Sequence, residues 1–310
     1  MHVQPACQPA TRSSPPRRHA GSPFDPDNRE AYATWREHKL NGYPAGIGEL
    51  MVEVKNPARL SRVEHDAILY RCRRTNMALY NCKADTGSDR QLPAVLGRQC
   101  GLTTLDRNRG ADDDGISTLQ VADGEWRADY IPYTNRPIHW HTDGYYNEPE
   151  RQIHGLQLHC ASPAATGGAN ALLDHEIAYL HLRDSNPDFI RVLMRPDVMT
   201  IPPNQSGDTE LRPARTGPVF SIRDDGQLHM RYTARTRSIE WAPDPLVRAA
   251  LDALDALLQS DSPYIFRATL QAGQGLICNN VLHDRSGFTD SDHCKRQLFR
   301  LRYYQRVARS

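Results

Sequence analysis

The densest chemical signal in the chain is the run from Arg136 to Tyr146, where His139, His141 and Asp143 recur at every second position. Side chains two apart along a strand point to the same side, so these three can converge on one face as metal ligands. A polar strand that merely holds two histidines and an aspartate explains the bare triplet equally well, because short ligand patterns recur by chance. Two metal chemistries fit it. All three residues together suit a zinc hydrolase, whereas His141 and Asp143 alone form an H-x-D pair. One distant histidine would complete that pair as a two-histidine, one-carboxylate facial triad, which leaves three positions open on Fe(II).

In zinc hydrolases of the metallo-β-lactamase type a second histidine follows the aspartate directly; Gly144 stands there instead and removes a ligand. The iron reading needs a late histidine, and the segment Asn279 to Arg285 supplies His283, 142 residues after His141. Arg296 and Arg300 follow 13 and 17 positions further on. In a strand over 297–307, Arg296, Leu298, Arg300 and Arg302 fall on one face and Gln297, Phe299 and Leu301 on the other. A dicarboxylic acid bound to a metal through one end needs its far carboxylate neutralised, and a guanidinium does so with a bidentate fork. A basic edge strand in solvent is the plainer alternative. Each piece is weak alone; the order H-x-D, late histidine, arginine is far less accidental.

Regular elements must position these groups. Apolar spacing predicts helices over 28–40, 60–77, 91–100, 174–182 and 245–258, the last capped by Asp244. Strands are expected over 50–54, 78–82, 116–121, 153–160, 264–270, 275–278 and 297–307. Asp112, Asp113 and Asp114 with Gly115 read as a solvated turn, because a calcium loop would need spaced ligands and a terminal glutamate. Residues 1–24, with Pro15, Pro16, Arg17 and Arg18 and no apolar run, read as a flexible tail rather than a secretory signal. No repeat or linker divides the rest, so 25–310 is expected to form a single α+β domain. Ligands drawn from positions 141 and 283 require both halves in one β-core.

Composition narrows the partners. The 38 Lys and Arg against 37 Asp and Glu give a net charge of +1, which offers no general attraction to nucleic acid or an anionic membrane. No apolar stretch approaches the ~18 residues needed to span a bilayer. The seven cysteines are scattered and never spaced C-x-x-C, which fits reduced thiols in a cytoplasm. The expected partner is a small-molecule substrate, and a homo-oligomer is compatible with everything above.

Three blocks, His139-Trp-His-Thr-Asp-Gly-Tyr-Tyr, Val281-Leu-His-Asp-Arg and Arg296-Gln-Leu-Phe-Arg300, resemble those of the TauD/TfdA superfamily of Fe(II)- and 2-oxoglutarate-dependent dioxygenases. The resemblance runs from about Tyr130 to Tyr304. It implies a double-stranded β-helix, or jelly-roll, core flanked by helices. It implies His141, Asp143 and His283 as Fe(II) ligands, with 2-oxoglutarate and O2 as co-substrates. Arg296 would hold the distal carboxylate of 2-oxoglutarate and Arg300 would assist or contact substrate; a taurine-dioxygenase-like registration exchanges the two. Thr166-Gly-Gly-Ala-Asn170 resembles the family's Gly-Gly loop, with Asn170 where a threonine often bonds 2-oxoglutarate. Asp284 replaces the usual glycine after the third ligand.

The implied reaction is oxidation, foremost hydroxylation, of a C–H bond in a small anionic or amino-acid-like metabolite, with release of succinate and CO2. Because halogenating relatives lack the carboxylate ligand, Asp143 argues against halogenation. Tyr145, Tyr146 and Asn147 flank the ligands as candidate substrate contacts. Arg231, Arg235 and Arg237 offer a cationic face, Arg235 being the candidate, with a solvent-facing strand as the plainer explanation. Two alternatives stay open: a zinc-dependent hydrolase using His139, His141 and Asp143, and a non-catalytic binding protein on the same fold.

Overall fold

The computed structural model describes residues 21–82, 88–107, 110–122, 127, 130–206, 209–235, 239–308 and 310. Most of the expected tail, and Arg237, lie outside the described residues. Packing begins before the expected boundary at residue 24: Phe24 is 3% exposed, wedged edge-on against Trp35 and Tyr179, because a large aromatic ring gains too much from burial to stay in a tail.

Ten strands make the two sheets that concern the site: β1 (Met51–Glu53), β2 (Met77–Asn81), β3 (Ser117–Leu119), β4 (Ile138–His141), β5 (Gly155–Ser162), β6 (Asn170–Leu173), β7 (Ile265–Ala268), β8 (Gln274–Cys278), β9 (Leu282–Arg285) and β10 (Gln297–Tyr303). The larger sheet has the order β1-β2-β8-β5-β10-β3, and the smaller β7-β6-β9-β4. All neighbours are antiparallel except β1 and β2. Helices α1 (Arg29–Leu40), α2 (Arg62–Thr75), α3 (Leu92–Gln99), α4 (His175–Ser185), α5 (Pro187–Leu193) and α6 (Pro245–Gln259) accompany them. Among the described residues no helix is long and apolar enough to cross a membrane.

The strand period of two sorts side chains between layers. In the larger sheet Leu79, Leu156, Leu158, Leu276 and Leu298 point inward and pack with Leu172 and Phe266 of the smaller sheet. Their sequence neighbours Ala78, Tyr80, Ile277 and Phe299, and Leu301 further along β10, point outward onto α2 and α3. In the smaller sheet Ala171, Leu173, Ile265 and Leu282 turn away from the larger sheet, into a core built with α4 and α6. By the same alternation Arg300 and Arg302 share the inward face of β10 with Leu298. His283 shares the inward face of β9 and lies opposite Leu172.

Most expected elements form, and their ends move for identifiable reasons. The helix expected over 60–77 is shortened to α2 because Ser61 caps it in a reciprocal capping box with Glu64, and Asn76 turns left-handed at φ 58°. The acidic run is a turn, as expected, and Arg90 bridges Asp112 and Asp114. The terminal strand ends at Tyr303 rather than 307, and it lies between β5 and β3 rather than in solvent. Its arginines are therefore inside.

A buried ion cluster ties α1 to the start of α4. Asp174 caps α4 through the Glu176 amide and accepts from Asn76 Nδ2 at 2.9 Å, Lys39 Nζ at 2.6 Å and the Tyr43 hydroxyl at 3.3 Å. Lys39 also reaches Glu176 at 2.5 Å. Burial opposes the lysine's charge, but the two carboxylates hold its pKa above the ordinary value. Removing one member leaves the others charged and dry. We predict that Lys39→Met destabilises the fold by about 3–5 kcal/mol, read as a lower urea midpoint at unchanged slope; a midpoint within error of wild type would refute the assignment.

Candidate metal centre

The centre starts from one cross-strand pair. In the antiparallel ladder of β4 and β9, His141 lies opposite His283, and their ring centroids are 4.2 Å apart. Asp143 is past the end of β4, in a turn that Gly144 makes possible: its φ is +67°, and a Cβ there would meet Ile153 at 2.4 Å. One side chain fixes this turn. Asn280, itself at φ 53°, accepts from the Asp143 amide at 2.8 Å and donates to the Asp143 and Ile153 carbonyls at 2.9 and 2.7 Å. His141, Asp143 and His283 each thereby offer a ligand atom within 4.8 Å of the other two.

The donor set suits a divalent cation. His141 Nδ1 and His283 Nδ1 lie 2.9 Å from the carbonyls of His139 and Val281. A carbonyl only accepts, so each Nδ1 carries the hydrogen and each Nε2 keeps its lone pair. Burial, followed by the proximity of His283, pushes the His141 pKa down to about 3, which keeps the ring neutral. Burial also opposes the charge of Asp143, but Arg300 and Arg302 overcome it and hold the carboxyl well below the usual range. Arg300 Nη1 sits 3.3 Å from Asp143 Oδ1, while Oδ2 is buried with no hydrogen-bond partner. Two imidazole lone pairs and one unpaired carboxylate oxygen form the two-histidine, one-carboxylate set.

The expected convergence of His139 with His141 and Asp143 does not occur. His139 is exposed and outside the cluster, because β4 ends at His141 and the turn carries Asp143 toward His283 instead of along the strand. Only its backbone carbonyl takes part, by orienting His141. That arrangement removes the ligand string on which a zinc hydrolase would depend.

The arginines divide their work. Arg296, just ahead of β10, is 5% exposed and lies over the Phe288 ring at 5.1 Å. Its guanidinium makes no hydrogen bond or ion pair among the described residues, and burial lowers its pKa. A Cβ on Gly168 would come within 3.1 Å of its Nε, so the Gly-Gly loop passes directly beside it. Arg300 meets Asp143 through Nη1, and its Nε is buried without a hydrogen-bond partner. Arg302 pairs with Asp106 and donates to Tyr146 Oη at 2.8 Å.

Asn170 donates from Nδ2 to the Asp284 carbonyl at 2.6 Å, and its Oδ1 is buried without a partner. Asp284, the departure from the family block, accepts from the Ala171 amide at 2.7 Å. It thereby bridges the β6–β9 edge where the β4–β9 register shifts beside His283. Tyr145 and Tyr146 pack edge to face at 5.2 Å, and Asn147 Nδ2 is engaged by the Arg151 carbonyl. Arg235 is exposed and makes no side-chain contact in the centre. Arg231, by contrast, is 5% exposed, which overturns the solvent-facing strand for that residue.

Sequence reasoning passed over Asn280 and Asp106. The signal for Asn280 was a polar Asn279-Asn280 pair interrupting an otherwise apolar run into His283; Asp106 carried none. Residues that hold a ligand's partner typically change metal affinity by about 10–100-fold. Asn280→Ala is expected to weaken Fe(II) binding by that order, His139→Ala to leave it near wild type, and His141→Ala to abolish it, all read by titration against a competing chelator. Equal losses at positions 139 and 141 would contradict the ligand assignment.

Comparison with known proteins agrees with this geometry. Residues 86–302 match the family described as taurine catabolism dioxygenase TauD, TfdA family, a span that includes every residue of the centre. A uridine-5'-phosphate dioxygenase from an Amycolatopsis species is 30% identical over 169 residues, covering 53% of this chain and 60% of that relative. Among solved structures, asparagine oxygenase in complex with Fe(II), 2S,3S-3-hydroxyasparagine and succinate superposes with a TM-score of 0.55 at 16% identity, over 82% of this chain and 93% of that one. The non-heme iron oxygenase OrfP in complex with Fe and alpha-ketoglutaric acid gives 0.57 at 18%, over 80% and 81%. The structural likenesses show a shared fold, and the match over 86–302 makes the assignment: the chain belongs to the TauD/TfdA dioxygenase family.

Proposed function

We propose that this chain is an Fe(II)- and 2-oxoglutarate-dependent oxygenase, on the double-stranded β-helix implied by its sequence blocks, that oxidises a C–H bond of a small anionic metabolite. One observation carries the reading. Two unsatisfied groups of opposite kind occur in the same core: a metal-ligand set with Asp143 Oδ2 unpaired, and Arg296, a buried cation without a protein counterion. A dicarboxylic 2-oxo acid answers both at once, chelating a metal at one end and pairing with a guanidinium at the other.

When bound, Fe(II) with 2-oxoglutarate and O2 supplies an oxidative decarboxylation that yields succinate and CO2 and the power to break a substrate C–H bond. His141, Asp143 and His283 would hold the metal, keeping three positions free. Arg296 would orient the co-substrate by its distal carboxylate. Arg300 keeps Asp143 ionised, so the ligand needs no proton removed before metal binds. Retention of that carboxylate supports hydroxylation, desaturation or oxidative cleavage over halogenation. The unpaired buried cysteines 72, 82, 100, 160 and 278 support a reducing compartment.

The substrate class has support from relatives only in kind: one acts by name on a nucleotide phosphate, and others hold hydroxylated amino acids in their sites. The test is anaerobic addition of Fe(II) and 2-oxoglutarate, followed by O2. A visible charge-transfer band and 2-oxoglutarate-dependent succinate are expected. Arg296→Gln should weaken 2-oxoglutarate binding at least about thirtyfold, as truncation of a buried charge pair does. Folded protein that shows neither band nor succinate would defeat the proposal, and hydrolysis without 2-oxoglutarate or O2 would restore the zinc reading.

A further inference from the structure

Beyond the metal and co-substrate residues, the molecule gathers a second group of cations that the proposed chemistry leaves unused. Strands Met199–Ile201 and Arg215–Gly217 pair antiparallel, and a smaller pair, Asn204–Ser206 with Thr209–Arg212, lies in the connection between them. Arg231 anchors this excursion to the turn after the iron ligands. Its Nε donates to the Tyr145 carbonyl at 2.6 Å, Nη1 to Met199 at 3.2 Å and Nη2 to Arg215 at 2.7 Å. All three acceptors are neutral, so a guanidinium 5% exposed has no carboxylate beside it among the described residues.

Three more guanidiniums lie around it. Arg212 lies 5.8 Å from the centroid of the Tyr146 ring, and Arg302, which donates to the Tyr146 hydroxyl, lies 5.7 Å from that centroid. Arg215 meets one carboxylate, Glu148, at 3.5 Å with that side chain 43% exposed, while its Nε is buried and unpartnered. Packing like charges together is unfavourable. Burial and then Arg212 push Arg231 down to about 10, and burial lowers Arg212, with Arg215 acting in the same direction and Tyr145, Tyr146 and Glu210 opposing it. Arg212, Arg215 and Arg231 face two carboxylates, Glu148 and the exposed Glu210, and this leaves a positive charge that an anion would balance. The cluster is also joined to the centre, because Tyr146 binds Arg302, two residues along β10 from the Arg300 that holds Asp143.

We propose that Arg212 and Arg215, with Arg231 behind them, form a subsite for the phosphoryl group of a phosphomonoester substrate, with Tyr145 and Tyr146 lining the path from that group to the metal. The inference rests on the oxygenase reading for its meaning as a substrate end, but the anion binding can be measured without turnover. A phosphoryl group, with three terminal oxygens, matches the forked donors of two guanidiniums better than a single carboxylate does. Arg215→Gln is the suitable variant because it is the Arg215 carbonyl, not its side chain, that accepts from Arg231. The excursion therefore keeps its tie.

The experiment is isothermal titration of the full chain with uridine 5'-monophosphate and with uridine, at fixed ionic strength, with inorganic phosphate as competitor. Wild type should bind the monophosphate at least about tenfold more tightly than the nucleoside, the size expected for one charge-assisted contact. Inorganic phosphate should displace it. Arg215→Gln should erase most of that ratio, and Arg215→Lys should recover part, with thermal midpoints confirming that both variants fold. A ratio near one in wild type, an unchanged ratio in Arg215→Gln, or no binding of either phosphate probe overturns the subsite. The Fe(II) and 2-oxoglutarate charge-transfer band of the wild type is read separately. Its absence with phosphate binding intact defeats the oxygenase reading and leaves the anion site standing.

Discussion

Everything in the centre depends on keeping one carboxylate ionised inside a dry core. An isolated Asp143 at 6% exposure would take up a proton rather than pay the desolvation cost of its charge. Arg300 prevents this through Oδ1, and Arg302 adds to the field from the same strand face. The pairing consumes one carboxylate oxygen and leaves the other for a metal. Asn280 then fixes the peptide that carries it. Charge and position are thus set by different residues.

The two-sheet architecture makes such a pairing possible. The histidines come from the smaller sheet and the arginines from the larger, so the Arg300–Asp143 contact crosses the space between layers. Strand alternation delivers both sets inward while their neighbours, Leu282 on β9 and Leu301 on β10, pack against helices. Polar chemistry and apolar packing then use alternate positions of the same strands. The Lys39, Asp174 and Glu176 cluster secures the end of β6, the strand that pairs with the ligand-bearing β9.

Much of this was legible in the residues themselves. The H-x-D pair and the late histidine are the three residues that the fold gathers, and they could be picked out because ligand chemistry allows few residue types. His139 served only the zinc alternative, which extends the strand rule two residues past His141, where β4 ends. The β6 and β9 strands were not anticipated, since Asn170–Leu173 and Leu282–Arg285 are too short to show alternation. Arg231 was open to two explanations for a similar reason: alternation gives a face, but only tertiary packing decides whether that face meets water. Asn280 and Asp106 were missed because a clamp made by one amide or one carboxylate depends on contacts 137 and 196 residues away in the chain, which spacing does not record.

The central claim is that two imidazoles and the unpaired oxygen of Asp143 hold one metal, with the remaining positions open to a chelating 2-oxo acid. X-ray absorption at the iron edge of the anaerobic protein, with and without 2-oxoglutarate, tests it most directly. The account predicts one iron per chain, two imidazoles in both spectra, oxygen atoms as the other ligands, and a change in the oxygen shell when 2-oxoglutarate is added. Three imidazoles, or a ligand shell that does not respond to 2-oxoglutarate, would contradict it.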